Sequence, residues 1–174
     1  MKKYIGLVLV AMSGCILTVN AQQSFSYKNP LLPTELRVND LLGRMTLEEK
    51  IAQIRHLHSW DVFDGQVLNQ EKLDKMCGGI GYGFFEGFPL TAASCRKTFR
   101  EIQTYMVEKT RLGIPGFPVA ESLHGVVHEG TTIYPQNIAM GSTFNPELIE
   151  RMTDAAGKEA AAMGIHQVLS PVFD

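Results

Sequence analysis

A glutamate, a histidine and a glycine lie close together in Glu121-Ser-Leu-His-Gly125, directly after the apolar stretch 117–120. A carboxylate at the end of an apolar strand is placed to face a ligand, because parallel α/β proteins bind ligands at the carboxyl ends of their strands. His124 lies one turn further on, and Gly125 frees the backbone there. Alternatively, Glu121 is a loop acid that pairs with a nearby base or caps a helix, and spacing alone leaves both roles open.

The sequence holds no complete pattern for metal binding or for nucleophilic catalysis. His124 and His128 are four residues apart, but the adjacent Glu129 lies outside the pair, unlike the glutamate of H-E-x-x-H, and neighbouring glycines disfavour the helix that would align them. The G-x-S-x-G elbow of serine hydrolases is absent. We therefore predict no metal, no cofactor and no catalytic residue, and we retain Glu121 and His124 as candidate substrate-binding residues.

The composition is typical of a globular protein that does not bind nucleic acid. Of the 174 residues, 45% are hydrophobic and 20% are charged, a balance that excludes wholesale disorder. The 16 basic and 18 acidic residues give a net charge of −2, so the chain lacks the basic surface of a nucleic-acid-binding domain. The length matches one ordinary domain.

Residues 1–21 have the pattern of a secretory signal peptide. Two lysines precede a short apolar run, and Ala21 offers a small residue for cleavage before a polar stretch. The run is shorter than the ~20 residues of a membrane span, so we expect export to the periplasm or beyond, with residues 22–174 as the mature chain. An alternative is a lipoprotein signal in which Cys15 is lipidated.

Two of the three cysteines, Cys77 and Cys95, remain after that cleavage. An exported protein enters an oxidising compartment, where these residues could form a disulfide. Two buried free thiols are an equally open alternative.

Helix signals begin the mature chain. Apolar residues at positions 38, 41, 42 and 45 recur at helical spacing, and Thr46-Leu-Glu-Glu49 predicts a capping box that opens a second helix. His56 and His58 are expected at the end of that helix, where they would interact favourably with its dipole.

The rest of the chain alternates strands and helices. Apolar segments 78–85, 117–120 and 168–173 predict short strands, separated by helices over 91–111 and from an N-cap at Asn145. This alternation predicts a parallel sheet with helical crossovers. A closed eight-fold barrel takes ~250 residues, so we predict an α/β fold that is the N-terminal portion of a (β/α)8 TIM-type barrel, cut off after about three strands. Asp174 follows the last strand, where it could face the site; we expect it instead to anchor the next loop.

Several motifs, in the same order, resemble glycoside hydrolase family 3, which contains β-glucosidases and β-xylosidases. The motifs are Arg37-Val-Asn-Asp-Leu-Leu-Gly-Arg-Met-Thr-Leu-Glu-Glu-Lys-Ile-Ala-Gln53, Arg111-Leu-Gly-Ile-Pro115, Glu121-Ser-Leu-His-Gly125, Tyr134-Pro-Gln136, Phe144-Asn-Pro-Glu-Leu148 and Ser170-Pro-Val-Phe-Asp174. The resemblance covers nearly all of the mature chain.

The resemblance implies a secreted retaining exo-β-glycosidase, of which residues 22–174 are an incomplete N-terminal barrel domain. The implied substrates are oligosaccharides or other β-glycosides with terminal non-reducing β-glucosyl or β-xylosyl residues. Glu121 takes the family position that hydrogen-bonds hydroxyls of the terminal sugar, and His124 would support its loop. The family's nucleophile and acid/base lie in later segments, so the 174 residues by themselves are expected to be inactive. The alternatives are a short secreted non-catalytic sugar-binding protein and the product of a truncated gene.

Overall fold

The computed structural model describes residues 26–87 and 90–171, which form two compact units divided after Gly43. The predicted signal peptide, Cys15 and Asp174 lie outside the described residues. Within the described ranges, no helix is both long and apolar enough to cross a membrane.

The first unit contains the 3₁₀ helix Ser26–Lys28 and helix α1, Thr34–Arg44, whose last residue, Arg44, already belongs to the second unit. The carboxylate of Asp40 accepts a hydrogen bond from the N–H of Tyr27 at 3.0 Å, and the Nε–H of Arg37 donates to the Tyr27 carbonyl at 2.9 Å. These bonds hold the lead-in segment against the helix that the apolar spacing predicted.

Helix α2, Leu47–Gln53, opens the second unit at the predicted capping box. The hydroxyl of Thr46 accepts a hydrogen bond from the N–H of Glu49 at 3.2 Å, and the Glu49 carboxylate accepts one from the N–H of Thr46 at 2.8 Å. That carboxylate also receives two hydrogen bonds from the Arg111 guanidinium, at 2.8 and 2.5 Å. Glu49 is 2% exposed, and the bonds from Arg111 lower its pKa because they favour the charged form.

A parallel sheet is formed by β1 His56–His58, β2 Phe84–Glu86, β3 Phe117–Glu121 and β4 Gln167–Leu169. The strands lie in the sheet in the order in which they occur in the sequence. Each strand of a (β/α)8 barrel pairs with the next in the same way. The predicted α/β class with a parallel sheet is confirmed.

The position of β1 shows that the prediction for His56 and His58 was wrong. We expected both at the end of α2, but α2 ends at Gln53 and both histidines lie in β1, on either side of the buried Leu57. A strand of three residues is too short to give a clear alternating pattern, so the helical signal before it dominated the interpretation. The described sheet therefore has one strand more than the three that we predicted.

The predicted strand over 78–85 is also much shorter than expected. Helix α3, Ser59–Val62, and a hairpin of Phe63–Asp64 with Val67–Leu68 lead from β1 to helix α4, Gln70–Cys77. All four glycines of the run 78–85 come before β2, which begins at Phe84.

The glycines of that run serve a helix end and a close backbone approach instead. Gly78 ends α4 in the left-handed conformation, with φ of 53°. A Cβ atom at Gly83 would lie 1.8 Å from the carbonyl oxygen of Gln53, so only glycine lets the chain pass α2 into β2.

Two long helices cover one face of the sheet. Helix α5 is Ala92–Lys109, the short helix α6 is Asn137–Gly141, and helix α7 is Pro146–Met163. Helix α7 is capped by Asn145, as predicted, and ends at Gly164. The hydrophobic core joins three strand residues to residues of α5 and α7; the strand residues are Leu57, Phe85 and Ala120.

Cys77 and Cys95 are both free and fully buried, so the structure supports the second of the two alternatives for this pair. Burial raises the pKa of each thiol to about 12. The reactive thiolate is therefore scarce in the folded protein.

The other face of the sheet carries aromatic and titratable side chains. His56 stacks on Phe84 with ring centroids 5.0 Å apart, and Phe84 contacts Phe117 at 6.0 Å. Because alternate residues of a strand point to the same side, Glu86 and Glu121 belong to this face too. We call these five residues the inner face. Phe117 is 54% exposed on it.

Candidate functional site

Glu121 lies at the edge of the sheet where the carboxyl ends of the parallel strands meet. The three residues before it in β3 are buried, whereas Glu121 itself is exposed. The strand is therefore fixed in the sheet while its last carboxylate reaches the surface. Among the described residues, no side chain forms an ion pair with Glu121, as the alternative role of a paired loop acid would require.

Glu121 lines a cleft of about 330 Å³ together with a second carboxylate and an imidazole, those of Glu86 and His128. The rest of the wall is mainly apolar; it consists of Gly87, Phe99, Val119, Ala120 and Val127. Burial lowers the pKa of His128, so its imidazole is neutral at pH 7. Two carboxylates and a neutral imidazole between apolar walls suit a ligand that carries several hydroxyl groups.

His124 lines a different cavity from Glu121. Its Nδ1 lies 2.9 Å from the carbonyl oxygen of Tyr134, and the N–H of Tyr134 donates to the carbonyl of His124 at 2.8 Å. The imidazole faces a largely apolar cavity of about 510 Å³ between its own loop, α6, α7 and the end of β4. His124 thus ties together the two ends of the loop 122–134, and the structure does not place it in one cleft with Glu121.

Gly125 determines the path of the same loop. Its φ is +104°, and a Cβ atom there would lie 2.3 Å from the carbonyl oxygen of Thr132. The glycine of the Glu121–Gly125 segment is thus needed both for its backbone conformation and for the space that it leaves.

Glu159 of α7 anchors this loop, and sequence analysis did not identify it. Its two carboxylate oxygens lie 3.2 and 3.0 Å from the N–H of Thr132. At the other side of the loop, the N–H of Ala92 donates to the carbonyl of Glu129 at 2.8 Å. Nothing in the sequence distinguishes Glu159 from an ordinary surface acid of a helix, because its partner lies 27 residues away.

His56 and Glu86 are further candidates that sequence analysis missed. His56 Nδ1 and Glu86 Oε2 are 2.5 Å apart, and the Glu86 side chain is 22% exposed. Nearby, the ring of His58 stacks on Trp60 at 4.3 Å. The alternation His-Leu-His was the available signal, since two histidines separated by one residue share a face in a strand but not in a helix.

The described residues include no group of three or more His, Cys, Asp or Glu side chains that could hold a metal ion. His124 and His128, the pair with helical spacing, lie in a loop and line separate cavities.

The fold and this edge define a class of protein: a parallel α/β domain of the barrel type, with a cleft at the carboxyl ends of its strands that holds two carboxylates and an imidazole. Residues 46–174 match the profile of the glycosyl hydrolase family 3 N terminal domain. The chain belongs to this family.

Curated relatives include both β-xylosidases and β-glucosidases. A putative β-xylosidase of Formosa agariphila is 34% identical in an alignment of length 157 that covers 87% of this chain and 21% of the relative. A periplasmic β-glucosidase of Salmonella typhimurium is 26% identical in an alignment of length 174 that covers 99% of this chain and 21% of the relative. The chain thus spans about a fifth of the length of these two relatives.

Solved structures of β-glucosidases share the fold. That of a β-glucosidase from Erythrobacter marinus has a TM-score of 0.70 and 28% identity, covering 86% of this chain and 20% of the other. A β-glucosidase from Listeria innocua in complex with isofagomine has a TM-score of 0.60 and 27% identity, covering 82% of this chain and 18% of the other.

Proposed function

We propose that this chain is the N-terminal part of a longer, exported exo-β-glycosidase. That protein removes terminal non-reducing β-glucosyl or β-xylosyl residues with retention of configuration, and Glu121 binds hydroxyls of the departing sugar. The observation that carries the proposal is the exposed Glu121 carboxylate at the carboxyl end of β3, in a cleft of a family 3 domain that also holds Glu86 and His128.

The carboxylate of Glu121 suits this role chemically. It can accept hydrogen bonds from two neighbouring hydroxyls, and such charge-assisted bonds are stronger than neutral ones. Bonds that tighten as the sugar approaches the transition state lower the barrier for cleavage.

Glu121 is not assigned the role of nucleophile or proton donor. Retaining hydrolysis requires two carboxyl groups flanking the scissile bond, and the resemblance places both beyond residue 174. We therefore expect the 174 residues by themselves to be inactive.

Export is the second part of the proposal. Residues 1–21 would be removed after Ala21, and the mature protein would act in the periplasm or outside the cell; lipidation of Cys15 is the competing outcome. The mass of the N-terminal peptide of the purified native protein distinguishes the two. One relative is named a periplasmic β-glucosidase.

The size of the native protein is the first measurement. An immunoblot of source cells with antibody against residues 22–174 should show a band several times larger than 19.3 kDa. A band near 19.3 kDa would favour the alternative, a short secreted sugar-binding protein without catalysis.

Replacement of Glu121 by glutamine in the full-length protein tests the sugar contact. Because the isosteric amide loses the charge, we expect kcat/KM for an aryl β-glucoside or β-xyloside to fall about 10- to 1000-fold. Glu129→Gln, an exposed acid of the same loop, is the matched control and should keep wild-type activity. An unchanged kcat/KM in Glu121→Gln would refute the assignment.

A further inference from the structure

Glu86 and Glu121 lie near the carboxyl ends of adjacent strands, on the same face of the sheet. The register pairs Phe84 with Phe117, so Glu86 falls beside Val119, two residues before Glu121. With ~4.8 Å between strands and ~3.3 Å rise per residue, the Cα atoms of the two acids are ~8 Å apart. Both side chains line the same cleft, so they can reach different hydroxyls of one sugar ring.

Among the described residues, only one of the two oxygens of the Glu86 carboxylate has a hydrogen-bond partner. His56 Nδ1 binds its Oε2 at 2.5 Å, while no described residue forms a hydrogen bond with Oε1. The side chain is 22% exposed, and Oε1 is not one of the buried polar atoms that lack a partner, so this oxygen is accessible to a ligand hydroxyl. His56 is itself held by stacking on Phe84 at 5.0 Å, so the carboxylate is fixed before any ligand binds.

An aromatic side chain lies next to Gly87, the residue after Glu86 and part of the cleft wall. Trp60 is 69% exposed and packs on the ring of His58 at 4.3 Å. It also covers Gly87, where a Cβ atom would lie 3.7 Å from the indole. An exposed aromatic face next to hydroxyl acceptors offers an apolar surface for the C–H face of a pyranose.

We infer that Glu86, positioned by His56, is a second carboxylate of the sugar-binding cleft and accepts a hydrogen bond from a sugar hydroxyl that Glu121 does not contact. This inference rests on the proposed function. It explains why the cleft holds two carboxylates although the Glu121–Gly125 segment supplies one.

The test measures which sugar hydroxyls each carboxylate recognises. kcat/KM is determined for an aryl β-glycoside and its monodeoxy analogues with the full-length wild type, Glu86→Gln, Glu86→Ala, His56→Phe and Glu121→Gln. Glu101→Gln, an exposed acid of α5, is the control. Glu86→Gln is nearly isosteric and keeps an oxygen for His56, so it tests the contact even where Glu86→Ala does not fold.

For the wild type, we expect kcat/KM to fall about 10- to 100-fold when the hydroxyl that Glu86 contacts is removed from the substrate. In both Glu86 variants the same removal should lower kcat/KM only a few-fold, and in His56→Phe the decrease should be intermediate. Removal of the hydroxyl that Glu121 contacts should still lower kcat/KM in the Glu86 variants, but it should no longer do so in Glu121→Gln.

Two results would overturn the inference while leaving the proposed function intact. In one, active Glu86 variants keep the wild-type dependence on every hydroxyl. In the other, they lose activity equally on all analogues, which indicates a structural role. A folded wild type that hydrolyses none of these glycosides overturns the proposed function and the inference together.

Discussion

Gly125 shows at the scale of one residue how the loop after β3 is determined. Its φ of +104° is a conformation that L side chains rarely adopt, and the Thr132 carbonyl occupies the place of a Cβ atom. The same loop carries His124, bonded to Tyr134, so a side chain introduced at position 125 would disturb the segment that follows Glu121.

Gly125→Ala should therefore destabilise the protein. Backbone strain costs about 1–3 kcal/mol, and relieving the overlap with Thr132 adds to it, so we expect the thermal midpoint to fall by several degrees. Gly157→Ala is the control, since that helical glycine has no heavy atom within 4 Å of a built Cβ and alanine favours helices. Equal thermal midpoints for the two variants would contradict this account.

At the scale of the element, the start of α2 is stabilised by the Glu49 carboxylate, and the sequence pattern explains only some of the hydrogen bonds that this carboxylate accepts. The capping box accounts for the bond between Thr46 and Glu49, but Arg111 supplies two more hydrogen bonds to the same carboxylate. The Arg111 guanidinium also donates to the carbonyl of Arg44 at 2.7 Å. One arginine thus links the start of α2 to the segment that leads into β3.

The lowered pKa of Glu49 predicts how α2 responds to acid. A carboxylate whose pKa is lower in the folded state stabilises that state above its unfolded pKa of ~4.3, and this stabilisation is lost as the pH falls through the folded pKa. Glu49→Gln should therefore lower the free energy of unfolding at pH 7 by about 1–3 kcal/mol, and its difference from wild type should shrink below pH ~4.

Urea unfolding at pH 7, 5 and 3.5 measures this difference. Glu150→Gln, an exposed acid of α7, should match the wild type at each pH. If Glu49→Gln lowers the free energy of unfolding by the same amount at pH 7 and at pH 3.5, the charge of Glu49 is not what stabilises α2.

At the scale of the whole molecule, the two faces of the sheet differ in cover. Leu57, Phe85 and Ala120 pack into the core with α5 and α7, whereas the inner face leaves Phe117 54% exposed. Parallel sheets in globular proteins are covered on both faces. A large apolar side chain exposed on an uncovered face, such as Phe117, favours self-association.

Residues 22–174 produced by themselves should accordingly self-associate through the inner face. Phe117→Thr should shift the population towards monomer in sedimentation velocity. Val107→Thr, which removes a 45% exposed apolar side chain from α5, should leave the association unchanged. A larger effect of Val107→Thr than of Phe117→Thr would place the associating surface elsewhere.

The sequence alone predicted the features whose partners are near in the chain. Thr46 with Glu49 and Asn145 with Leu148 are separated by three residues, so residue type and spacing suffice to identify these caps. The alternation of helices and strands gave the fold class, and the ordered motifs gave the family. Glu121 was chosen as a candidate because it directly follows an apolar segment, and its role in binding stays a prediction.

Tertiary structure decided whatever depends on residues that are distant in the chain. His56 and Glu86 are 30 residues apart and Glu49 and Arg111 are 62 apart, and no local pattern encodes such pairings. The three-residue β1 is a strand because it pairs with β2, not because its own sequence requires it. The cleft of Glu86, Glu121 and His128 exists because strand order and register bring three distant segments to one edge.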